Sequence, residues 1–123
     1  MTYLAISVGA VLGANARYLV GGWVVDRLGA SFPFGTLLIN VTGSFLIGLV
    51  LTVVTERTLA PAWVRPTIAI GFLGSYTTFS TFSYETLALI GAGSVAAAAA
   101  NIATSVGGAL IGVYLGTVVA RLI

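Results

Sequence analysis

The side chains able to do chemistry are few, and they crowd one stretch: Gly71-Phe72-Leu73-Gly74-Ser75-Tyr76-Thr77-Thr78-Phe79-Ser80-Thr81-Phe82, followed shortly by Glu85. At helical spacing Thr77, Thr81 and Glu85 stand at i, i+4 and i+8 with Ser80 and Tyr84 alongside, while Phe79 and Phe82 take roughly the opposite side. A hydroxyl stripe in an apolar chain serves helix–helix hydrogen bonding or an ion whose water must be replaced. Two phenylalanines ordinarily face lipid or a packing partner; presented edge-on, the positive rim of the ring can solvate an anion. Asn40 adds two amide donors and one acceptor, for a neighbouring helix or for something passing. Arg17 could snorkel to the interface or bind carbonyls released by a helix break, and Glu85 could reach interfacial water. Asn101 and Ser105, four apart, could form a hydrogen-bonded pair or line a path. The sign of the ion stays open: carbonyls and Glu85 suit a cation, whereas amides, hydroxyls, ring edges and Arg17 suit an anion.

Other chemistry is excluded by what the chain lacks. It has no Cys, no His and no Lys, one Asp and two Glu. Thiolate and imidazole metal sites are therefore ruled out, and neither a nucleophile–base pair nor a catalytic metal site can be assembled. An enzyme is not expected. The net charge of +2 is spread over five arginines, with no basic cluster to hold nucleic acid.

The elements that must position these residues follow from composition. Only 7% of the 123 residues are charged and 59% are hydrophobic, against about 25% charged in a soluble domain. The chain reads as an all-α integral membrane protein. A membrane helix needs roughly 20 mostly apolar residues, and four stretches qualify, about 3–25, 34–54, 66–90 and 95–120, forming one transmembrane domain over 1–123. Residues 55–66 make the longest loop, and Pro66 suits the first turn of the third helix, where a missing N–H costs nothing. That third helix contains the polar stretch and is a poor membrane helix there. It is either continuous, its small residues allowing close packing, or broken near its middle. Backbone groups freed in lipid survive only against protein or a wet cavity, and broken helices recurrently build ion sites from main-chain groups. The break is the expectation adopted.

Four spans place both termini and the 55–66 loop on one face. That face carries Arg57, Arg65 and Arg121; the other carries Arg27, with Arg17 inside the first helix nearer that end. So small an arginine bias is a weak instruction for orientation. It permits a single orientation or insertion in both, and the second would let two copies meet antiparallel. Gly9 and Gly13, and the ladder Gly108, Gly112 and Gly116, let helix backbones approach closely. Four short spans cannot enclose a wide lumen, so an oligomer is expected.

Three motifs then carry a resemblance that covers nearly the whole chain. Gly13-Ala14-Asn15-Ala16-Arg17-Tyr18, Gly35-Thr36-Leu37-Leu38-Ile39-Asn40-Val41-Thr42-Gly43-Ser44-Phe45, and Gly71-Phe72-Leu73-Gly74 through Thr77-Thr78-Phe79-Ser80-Thr81-Phe82 resemble, in order, the first three helices of the Fluc family of fluoride channels, also called CrcB-like proteins. The third motif is the specific one. The resemblance implies a dual-topology homodimer in the cell membrane whose antiparallel subunits form two pores, exporting fluoride down its electrochemical gradient and relieving its toxicity. It implies Asn40 as the pore asparagine, Phe79 and Phe82 as rings meeting fluoride edge-on, Ser80, Thr81 and Glu85 as a polar track, and Ser105 as a pore serine. It also implies a central structural sodium held by the main-chain carbonyls of Gly74 and Thr77 from both subunits. Two positions depart from the pattern: Asn101, where some members carry Tyr, and Ser75, where Gly is frequent. The alternatives are a small dual-topology multidrug transporter, disfavoured because the first helix has Arg17 and no embedded acid, and a structural subunit of a larger membrane complex.

Overall fold

The computed structural model describes residues 1–57 and 60–123; Thr58 and Leu59, in the expected 55–66 loop, lie outside the described residues. Helix α1 spans Thr2–Leu28 and stops at Gly29, whose φ of 79° is open to glycine without strain. After a turn over residues 29–33, α2 runs Phe34–Glu56. Helix α3 opens as a wide π-helical stretch, Arg65–Leu73, and passes directly into one α-helical turn, Gly74–Tyr76. The wide geometry shows in the Gly74 N–H, which reaches back five residues to the Ala69 carbonyl. Thr77 and Thr78 are extended, with ψ of 157° and 115°. Helix α4 then runs Phe79–Gly91 and α5 runs Val95–Leu122. Among the described residues there is no strand. Helices α1, α2 and α5 are each long and apolar enough to cross a membrane.

Glycine decides which helices pair. On α5, a Cβ at Gly116 would collide with the Phe45 carbonyl of α2, and one at Gly112 would press on the Val41 carbonyl. On α1, Gly9 and Gly13 lie equally tight against the Thr67 and Phe72 carbonyls of α3. Both sets are those marked in the sequence, and both bring backbone to backbone, the contact by which helices associate in lipid. The molecule is thus two glycine-seamed pairs, α2 with α5 and α1 with α3. Helix α4 makes no contact with α1, and a cleft opens between them.

The two ends differ in charge. Arg121 forms a paired contact with Glu56, its Nη2 2.7 Å from Oε1 and Nε 3.1 Å from Oε2. Exposed pairs of this kind contribute little stability, but this one offsets one of the three arginines on the face that carries the termini. At the opposite end Arg27 stacks over Trp23, 5.2 Å from the ring centroid, an aromatic–cation arrangement suited to the membrane–water boundary.

Candidate functional site

The site is organised by Thr78. In a continuous helix its N–H would go to the Gly74 carbonyl. Instead Asn40 on α2 takes it: Thr78 N–H donates to Asn40 Oδ1 at 2.8 Å, and Asn40 Nδ2 donates to the Thr78 carbonyl at 2.9 Å. The side-chain amide thus pairs with the main chain as a neighbouring strand would, and holds Thr78 extended. The Thr78 side chain meanwhile starts α4, its Oγ1 accepting from Thr81 N–H at 3.2 Å, the N-cap role for which Thr suits. Just upstream, Tyr76 is buried and its hydroxyl lies 3.1 Å from Thr42 Oγ1. Since the Thr42 proton is already given to the Leu38 carbonyl at 2.7 Å, Tyr76 is the donor. Two α2 side chains therefore hold the residues on each side of Thr77, Asn40 through the Thr78 main chain and Thr42 through the Tyr76 hydroxyl.

Proton accounting around Thr78 shows what remains to offer. Thr78 Oγ1 donates to Thr81 Oγ1 at 3.0 Å, so the Ser80 hydroxyl, 3.2 Å from Thr78 Oγ1, must donate to it. The Thr81 proton is left free, and so is the second Nδ2 proton of Asn40. Asn40, Phe79, Phe82 and Ser105 line one groove of about 350 Å³. The two rings lie 5.4 Å apart at 47°, Phe82 only 8% exposed and Phe79 77% exposed. Thr78 also lines the larger cleft between α1 and α4, about 770 Å³, with Arg17, Thr36, Thr81 and Glu85. There Glu85 Oε1 accepts from Thr36 Oγ1 at 2.9 Å, while Oε2 is buried without a protein partner. Arg17 Nη1 lies 3.4 Å from the Thr77 carbonyl, a long bond to a main-chain oxygen beside the interruption.

Behind the groove runs a buried relay. Ser105 Oγ donates to Asn101 Oδ1 at 3.2 Å, Asn101 Nδ2 to Thr86 Oγ1 at 2.9 Å, and Thr86 Oγ1 to the Phe82 carbonyl at 2.7 Å. Asn101 is only 1% exposed. Asn101 and Ser105 are both a bonded pair and, through Ser105, part of the groove wall.

The structure brings Asn40, Phe79, Phe82 and Ser105 together, and sets Thr81 and Glu85 on the cleft side. Ser80 lies at the Thr78 cap, and Gly74 and Thr77 flank the end of α3. One spacing differs from expectation. Thr77 does not share a helical face with Thr81 and Glu85, because the extended Thr77–Thr78 pair resets the phase before α4 begins. Sequence reasoning missed Thr78, Thr86 and Thr36. A threonine at 78, directly before the run that opens with Phe79, is a legible N-cap signal. Thr36 and Thr86 carry no such signal, since their partners are 49 and 15 residues away.

Apolar spans, glycine seams and a hydroxyl-and-amide groove beside an interrupted backbone define a small all-α, multi-pass membrane protein. The chain belongs to the CrcB family: the profile described as "CrcB-like protein, Camphor Resistance (CrcB)" matches residues 4–117. It is 51% identical over 120 residues to a protein of Acidobacterium capsulatum, covering 97% of this chain and 95% of that one. To a protein of a Roseiflexus species it is 47% identical over 123 residues, covering 100% and 99%. To one of Geobacter metallireducens it is 47% identical over 121 residues, covering 98% of each. All three bear the name fluoride-specific ion channel FluC.

Proposed function

We propose that this chain is a fluoride-selective channel that lets fluoride leave the cell down its electrochemical gradient and so relieves its toxicity. Near-full-length similarity to proteins named fluoride-specific ion channel is the observation that carries the reading. The groove is chemically suited to it. A small, strongly hydrated anion moves only where donors replace its water without trapping it. The spare Asn40 proton and the edges of Phe79 and Phe82 supply donors, none of the groove-lining residues is a fixed cation, and the Thr81 hydroxyl adds a donor from the cleft side. Ser80 and Glu85 continue the polar track. Arg17 in the cleft draws anions toward Thr78, and Glu85 limits how long they stay.

The whole chain acts as one transmembrane channel domain of the cell membrane, with α3 and α4 together making a third, broken crossing. The functional unit is an antiparallel homodimer. Three observations support it: a groove open on one side with Phe79 uncovered, a chain with apolar residues exposed on every long helix, and an arginine bias between the faces too small to be a strong instruction for one orientation. A structural sodium between the copies fits the residues present. Diverting the Thr78 N–H to Asn40 deprives the Gly74 carbonyl of its helical partner, and the Thr77 carbonyl is met only by the long Arg17 contact. Those two carbonyls would hold the ion, which supplies positive charge to join otherwise repelling oxygens.

The test is efflux from liposomes containing the purified chain, read with a fluoride electrode. Fluoride should leave far faster than from protein-free vesicles and far faster than chloride does. Efflux no greater than from empty vesicles overturns the reading. A multidrug transporter would instead move an organic cation in the same vesicles.

A further inference from the structure

The directions of the hydrogen bonds behind the groove are fixed by counting protons. The Thr86 hydroxyl has one, and gives it to the Phe82 carbonyl at 2.7 Å. Toward Asn101 it can therefore only accept. The Asn101 atom 2.9 Å from it must then be Nδ2, which turns Oδ1 toward Ser105, 3.2 Å away. A carbonyl oxygen cannot donate, so Ser105 does. Ser105 lines the groove beside Asn40, Phe79 and Phe82, yet its single proton points away from the groove into the α4–α5 seam.

We infer that Asn101, oriented by Thr86, withholds the Ser105 proton from an anion in the groove and so sets how much donor density the pathway offers. Resting on the fluoride-channel reading, this adds two residues to it that act through Ser105 rather than by touching the ion. The groove sees the lone pairs of Ser105, an unfavourable surface for an anion. For Ser105 to turn its proton outward, Asn101 Oδ1 must lose its donor at a residue only 1% exposed, where the desolvated oxygen bears the cost of the lost bond. The relay ends on a main-chain carbonyl, which cannot reverse, so the whole row has one sense. Asn101 and Thr86 are positioning residues in this mechanism.

The perturbation is Thr86→Val, which keeps the shape of the side chain and removes the acceptor. The Asn101 amide can then turn over, present Nδ2 to Ser105, and release the Ser105 proton to the groove. Fluoride efflux from vesicles should rise several-fold, and the rise should depend on Ser105. Adding Ser105→Ala should cost on the order of tenfold in the Thr86→Val background, against about twofold in the native one, since only there is the hydroxyl a donor to the ion. Asn101→Leu, which deletes Oδ1, should show the same heightened dependence. Equal losses on Ser105→Ala in all three backgrounds overturn the inference while leaving the fluoride channel standing. Should neither variant fold, Ser105→Ala in the native chain decides alone: a tenfold loss there overturns the inference, because the hydroxyl would already be serving the ion. If the native chain conducts no fluoride, the failure lies with the channel reading instead.

Discussion

Asn40→Leu tests the step on which the site depends, the capture of Thr78 by an amide on another helix. The clamp consists of two hydrogen bonds of 2.8 and 2.9 Å in a partly buried setting. Leucine keeps the bulk and makes neither. Each group left bare costs about 1–3 kcal/mol, which would sum to about 2–6 kcal/mol if both stayed bare. They need not. Once released, the Thr78 N–H can return to the Gly74 carbonyl by lengthening α3 by one residue, so the net expected loss is about 1–3 kcal/mol, from the Thr78 carbonyl alone. Asn40→Asp behaves differently. It retains an acceptor for the N–H but sets a second oxygen against the Thr78 carbonyl, so the interruption persists under repulsion. Thermal unfolding of the purified protein measures the stability loss, and amide hydrogen exchange at Thr78 reports where its N–H goes. Both variants also remove the spare Nδ2 proton, so fluoride efflux should fall on the order of tenfold or more, a donor to a charged partner being worth about 1.5–3 kcal/mol. Native-like unfolding of Asn40→Leu, within about 0.5 kcal/mol, would refute the clamp.

Phe79→Ile is the cleaner probe of ring-edge solvation. Phe79 is 77% exposed and Phe82 8%, so only Phe82→Ile should also lower stability, by about 1–3 kcal/mol; near-native efflux in both, with an intact oligomer on size exclusion, removes the rings from the pathway. Gly116→Ala and Gly13→Ala should each destabilise by about 1–3 kcal/mol through backbone collision, whereas Gly22→Ala, with open space around it, should stay within about 0.5 kcal/mol of native; equal melting of all three would show the seams to be soft. C-terminal reporters active on opposite sides of the membrane should both give signal if the weak arginine bias permits two orientations, and a one-sided result excludes the antiparallel dimer. Exchanging sodium for a large organic cation should lower dimer stability, as expected for an ion bound only by the native dimer; indifference to the exchange removes the Gly74–Thr77 site.

The helical class and the three long apolar helices were legible because lipid imposes them: composition alone leaves no soluble surface to build. The glycine seams were legible for a related reason, since in lipid only close approach rewards a residue with no side chain. What periodicity could not encode were partners beyond one turn. It assigned Thr77, Thr81 and Glu85 to one stripe by continuing a helix through Thr77, but the choice between continuing and breaking is made by Asn40, 38 residues away. Asn40 itself was read as serving a neighbouring helix or something passing. The structure shows why those readings need not compete: the amide commits its oxygen and one proton to Thr78 and keeps one proton.

The direction of these protons bears on the sign of the ion, which residue types left open. Carbonyls, hydroxyls and amides are common to cation and anion sites, and only the direction of their protons separates the two. Around Thr78 the sequence of donations ends with protons to spare on Thr81 and Asn40, both outside the closed set of bonds. A lining that ends on spare protons favours an anion. The carbonyls deprived of protons, at Gly74 and Thr77, lie on the α3 side of the same interruption, where Arg17 already approaches one of them. A single diverted N–H thus leaves the Gly74 carbonyl without its helical partner and leaves spare protons on Asn40 in the groove and on Thr81 in the cleft, so one interruption opens both acceptors and donors, and it is the donors that line the groove beside the phenylalanine rings.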